Sequence, residues 1–133
     1  MSEQTTPVRS LTCKNRVGLV LAGTLGLLDV TFAFTIPEGD ADTPGPPVGI
    51  VVADAVLGLI TVIAVVYTWR TADRTGSRAV AGSRVLSVIT ALPAFYVNGV
   101  PAGIVTGTSA FVIVNVVAVA FVLSRPAPEP AAP

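Results

Sequence analysis

Four runs of apolar residues dominate the chain: Val17–Ile36, Val48–Trp69, Ala79–Val97 and Ala102–Leu123. A hydrocarbon core about 30 Å thick needs about 20 residues of helix at 1.5 Å each, and every run meets that length. None alternates with the period of two that a barrel strand requires. Where water is absent, a helix satisfies its own backbone groups. The pattern predicts an all-α membrane protein: four transmembrane helices as two antiparallel hairpins, over residues 17–124. A polar N-terminus (1–16) precedes them and a Pro/Ala-rich tail (125–133) follows.

The breaks support this division. Residues 37–47 read PEGDADTPGPP, a composition that cannot continue a helix. Residues 70–78 are polar and basic, which predicts a loop between the second and third runs. Asn98-Gly99-Val100-Pro101 is a tight-turn signal, with Pro101 placed to open the fourth helix. Pro93 predicts a kink in the third run, with Ser87 or Thr90 meeting the freed carbonyl groups. The first run is too long for the apolar core of a cleaved leader and contains Asp29, so it reads as a retained helix.

Charge placement predicts orientation. All eight basic residues (Arg9, Lys14, Arg16, Arg70, Arg74, Arg78, Arg84 and Arg125) fall on one side of this arrangement. Glu38, Asp40 and Asp42 fall on the other. The positive-inside rule then makes both termini cytoplasmic and the protein a multi-pass resident of the inner (plasma) membrane. Arg70, Arg74, Arg78 and Arg84 set this topology and are placed to meet lipid headgroups, with Arg84 snorkelling from the first turns of the third helix; the alternative for Arg84 is to reach inward toward Asn115 or Asp29.

Composition narrows the chemistry. Charged residues are 12% of the 133, against the ~25% usual for soluble domains. Mean hydropathy is +0.77. With no His and one Cys, imidazole metal sites, Ser-His-Asp catalysis and Cys-x-x-Cys redox chemistry are excluded. The sequence therefore predicts no metal, no cofactor and no enzyme. The balanced net charge speaks against a nucleic-acid partner.

Ionisable residues inside a membrane are costly, so each is a functional candidate. Asp29 lies seven residues before Ile36 and Asp54 six after Val48, which places both ~10 Å below the same hydrocarbon edge. Two facing carboxylates cannot both ionise cheaply, so a shared proton or a held cation is one expectation. Pro47-Val48-Gly49-Ile50-Val51 resembles Pro101-Ala102-Gly103-Ile104-Val105, which matches Asp54 to Thr108, and upstream Ala33-Phe34 resembles Ala94-Phe95, which matches Asp29 to Thr90. Asp29, Asp54, Thr90 and Thr108 are thus the candidate proton-, cation- or substrate-binding set. A plainer expectation is helix packing. Gly18, Ala22 and Gly26 form a small-residue stripe, Gly58 follows Asp54 on one face, and Gly103 and Gly107 lead to Asn115.

The runs 54–70 and 84–103 (the latter RVLSVITALPAFYVNGVPAG) resemble small four-helix membrane proteins of actinobacterial type. That group is largely uncharacterised, so the resemblance implies a fold and carries over no activity or site. Small multidrug transporters share the size and helix count, but their key acid is a glutamate in the first helix, where this chain has Asp29. The expected role is a non-enzymatic structural or accessory one, in a homo-oligomer or larger membrane complex. The alternative is a small proton- or cation-coupled transporter built on Asp29 and Asp54.

Overall fold

A computed structural model describes residues 10–36 and 45–125. The acidic loop residues Glu38, Asp40 and Asp42, together with Arg9 and the tail after Arg125, lie outside the described residues. The described chain is all-helical. It comprises α1 (Cys13–Thr35), α2 (Val48–Thr71), α3 (Arg74–Ala91), a 3₁₀ turn (Leu92–Phe95) and α4 (Ala102–Val122).

Helix α1 begins four residues before its apolar run because a cap is available there. The Thr12 hydroxyl accepts from the Asn15 amide, and the Asn15 side chain accepts from the Thr12 amide. This reciprocal capping satisfies two otherwise orphaned donors. The helix stops before Pro37, as the restriction on a residue preceding proline requires. Pro47 and Pro101 open α2 and α4 in the same way: each carbonyl accepts from the amides three and four residues on.

The third element departs most from expectation. The predicted loop over residues 70–78 is only Ala72 and Asp73, because Arg70, Thr71 and Arg74–Arg78 are helical. Ala72 takes a left-handed conformation (φ 51°) that ends α2, and α3 starts two residues later. Gly76 lets the new helix pack against the old one: a Cβ there would collide with the Thr68 hydroxyl. At its other end α3 is ended by Pro93, not kinked by it. The α-helix gives way at Ala91 to the 3₁₀ turn, since proline offers no amide for the next bond. Helices α1, α2 and α4 are long and apolar enough to cross a membrane. The shorter α3, 18 residues with three arginines, is not among them.

Each helix packs on its chain neighbours and α4 returns to pack on α1, whereas α2 and α4 do not meet. Along α1, Gly23 approaches Val65, Gly26 approaches Gly58, and Ala33 and Ile36 share a cleft with Ile50. Rising positions on α1 therefore meet falling positions on α2. Asn15 at the start of α1 donates to the carbonyl oxygens of Phe121, Val122 and Ser124 at the end of α4 (3.0–3.1 Å). That clasp satisfies carbonyls a helix C-terminus leaves free.

The interior has an apolar level (Leu19, Ala22, Leu25, Ala64, Val80, Ala118, Val122) and a polar one. The outside is rich in large apolar side chains, with Phe34 85% and Tyr96 81% exposed. Such a surface suits a lipid solvent.

Candidate functional site

The polar level is organised by Arg84, whose relative exposure is 0%. Its Nη2 lies 2.6 Å from Asp29 Oδ2 on α1 and donates to Ser87 Oγ on α3 at 3.1 Å. Its Nε donates to Thr61 Oγ1 on α2 at 3.1 Å, and Nη1 makes a longer 3.5 Å bond to Asn115 Oδ1 on α4. One guanidinium thus touches all four helices, a use for which its planar fork of donors is suited.

This position corrects the expectation that Arg84 reaches lipid headgroups. The expectation counted depth from Ala79, but α3 starts at Arg74, so Arg84 stands ten residues, about 15 Å, along the helix. From there the nearest acid is Asp29, and pairing is the less costly solution for a charge in an apolar setting. Arg70, Arg74 and Arg78 are exposed near the α2–α3 junction.

The partners of Arg84 are themselves held. Thr61 Oγ1 lies 2.7 Å from Ser83 Oγ and donates to the Leu57 carbonyl at 2.8 Å. Asn115 Nδ2 donates to the Phe111 carbonyl at 2.8 Å. Among the described residues no buried side-chain nitrogen or oxygen lacks a partner. A satisfied network of this kind is rigid, because moving any member leaves another exposed to an apolar medium.

Asp29 and Asp54 line one open cleft, with Phe32, Ala33 and Ile36 of α1 and Pro46, Ile50 and Val51 at the start of α2. The cleft is small, ≈ 90 Å³. That volume suits a few waters or a small cation; drug-sized ligands need roughly 300 Å³ or more. Asp29 is nearly enclosed, its side chain 9% exposed, and is engaged by Arg84. Asp54 Oδ1 accepts a 2.5 Å hydrogen bond from Thr90 Oγ1. Thr90 therefore serves the second aspartate, not the one it aligns with in sequence. Thr108 is half-buried on α4 and makes no hydrogen bond to Arg84, Asp29 or Asp54.

The small residues divide in two. Gly18 lies against the backbone and Phe121 side chain of α4; a Cβ there would come within 2.6 Å of the Val122 nitrogen. Ala22 is fully buried. Gly26 and Gly58 face each other, with a Cβ on Gly58 only 2.6 Å from the Gly26 carbonyl oxygen. Gly103 and Gly107 behave differently: nothing lies within 4 Å of a Cβ at either, so they make none of the helix contacts expected of them. A glycine stripe looks the same in sequence whether it faces a helix or the surroundings.

The sequence pattern does not single out Thr61, Ser83 or Asn15, and it places Ser87 at the carbonyls freed by Pro93 rather than at Arg84. A signal existed. Ser87 follows Arg84 at helix-neighbour spacing, Ser83 and Ser87 stand one turn apart, and an acid within one apolar span calls for an opposite charge in another.

No family model matches the chain, and no curated protein or solved structure matches it.

Proposed function

We propose that this chain is a small integral protein of the inner (plasma) membrane, with both termini cytoplasmic and a non-enzymatic structural or accessory role. The observation that carries this reading is the engagement of Arg84 with side chains of all four helices. The intramembrane charges expected of a working site are largely used in holding the helices in one arrangement. Short connections and the absence of imidazole from the sequence suit such a role. A rigid bundle with an apolar exterior would act through the surfaces it presents to lipid and to other membrane chains.

A second reading, a small proton- or cation-coupled transporter, draws on the shared cleft of Asp29 and Asp54. Asp54 is its key residue, because Asp29 already has a cation beside it. Proteoliposomes separate the two. The structural reading predicts no proton or monovalent-cation flux above that of empty vesicles, and an Asp54→Asn variant that inserts and behaves like the wild type. Flux that disappears in the inserted Asp54→Asn protein would replace the first reading with the second.

A further inference from the structure

The α2–α3 junction gathers a basic patch that the interior does not use. Arg70 lies in the last turn of α2, and Arg74 and Arg78 lie one turn apart on α3. All three are exposed. The left-handed Ala72 and the close seating of Gly76 on Thr68 and Tyr67 keep the two helix ends together, so the three guanidinium groups belong to one short corner. Within residues 70–78 they are opposed only by Asp73, which leaves a net charge of +2. Tyr67 and Trp69, each about half exposed, precede Arg70 in the last turns of α2. Aromatic side chains of that kind favour the headgroup level of a bilayer.

We infer that this corner binds the phosphodiester headgroups of anionic phospholipids. The inference rests on the membrane reading above and adds a lipid preference to it. Arginine presents paired donors that match phosphate oxygens, whereas a merely topological role asks only for positive charge. Lipid is favoured over an acidic protein by position. The arginines sit where the apolar flanks of α2 and α3 end, and in a bilayer phosphate groups occupy that level everywhere around the protein.

The test uses the full chain in a neutral detergent, so that bilayer orientation plays no part. Native mass spectrometry with added phosphatidylglycerol or phosphatidylcholine measures retained lipid. Wild type should retain phosphatidylglycerol preferentially. The R70Q/R74Q/R78Q variant should bind it about 100-fold more weakly, roughly fivefold per charge. A K14Q/R16Q control, which removes two exposed cations from the start of α1, should keep the preference. Equal retention of the two lipids by wild type, or an unchanged preference in the triple variant, overturns the inference. Retention of a poly-glutamate peptide in place of phosphatidylglycerol overturns it in favour of a protein partner. A chain that stays monodisperse in water without detergent would defeat the membrane reading itself. A chain that needs detergent but ignores lipid charge defeats only the lipid inference.

Discussion

At the level of Ala22 and Val122 the helices meet through apolar side chains; seven residues further along α1, at Asp29, they meet through an ion pair and hydrogen bonds. Both levels are enclosed, yet they hold the molecule by different means. In lipid, an apolar contact between helices gains little from removal of apolar surface, because the alternative neighbour is equally apolar. The Leu19 level therefore depends on fit, which Gly18, Ala22 and Gly26 permit by letting backbones come close. The Arg84 level depends on direction. Its bonds require particular atoms on α1, α2 and α4, so it determines which face each helix turns inward. Fit supplies closeness and the guanidinium supplies register.

The largest effect should come from breaking the directional level. Arg84→Leu leaves Asp29 without its cation and should cost about 3–5 kcal/mol, the usual range when one partner of a buried pair is removed. The denaturation midpoint in detergent reads this loss. The R84L/D29L double variant should recover most of it, since no lone charge remains. A double variant as unstable as R84L would shift the weight from the ion pair to the bonds with Thr61 and Asn115.

The fitted level should yield less. Leu19→Ala opens a void of roughly 80 Å³, and at ~24 cal/mol per Å³ the cavity contributes about 2 kcal/mol. The transfer contribution seen in soluble proteins is small where lipid is the solvent. A loss exceeding that of Arg84→Leu, in the same unfolding assay, would reverse the ranking of the two levels.

The smallest effects contrast two glycines. Gly58→Ala forces a Cβ to within 2.6 Å of the Gly26 carbonyl oxygen and 2.9 Å of the Asp29 Cβ. Overpacking of that kind costs about 1–3 kcal/mol. It should also disturb Asp29, which joins the two levels. Gly107→Ala meets open space and should stay within about 0.5 kcal/mol of wild type. Equal losses at the two positions would contradict the packing of Gly58 on Gly26.

Much of the architecture was legible as pattern. The apolar runs marked α1, α2 and α4, and the proline-rich or Asn-Gly breaks marked their limits, because both signals are local. The start of α1 lay earlier than its apolar run, since Thr12 and Asn15 cap it from polar sequence. The course of α3 was harder. Its first turns carry Arg74 and Arg78 and look like a loop by polarity, although arginine is a good helix former. That misplaced start moved Arg84 toward the headgroups and left its inward reach to Asp29 or Asn115 as an alternative only. Asp29 and Asp54 stood out in sequence as acids in apolar runs, but nothing local distinguished the one that meets Arg84 from the one that meets Thr90.

Alone, the sequence determined the helical content, the apolar exterior and the scarcity of reactive groups, which follow from residue type and spacing. Its few charges also divide along the chain, basic residues at some junctions and acids at another. Tertiary structure decided the pairing: Arg84 with Asp29 across 55 residues, Thr90 with Asp54 across 36, and Asn15 with the end of α4. It also decided which glycines meet a neighbour. The physical reason is that spacing along one helix specifies a face, while the partner of that face depends on how the other helices are rotated and how far they slide. Those choices are made by fit and by directed bonds between residues far apart in the chain.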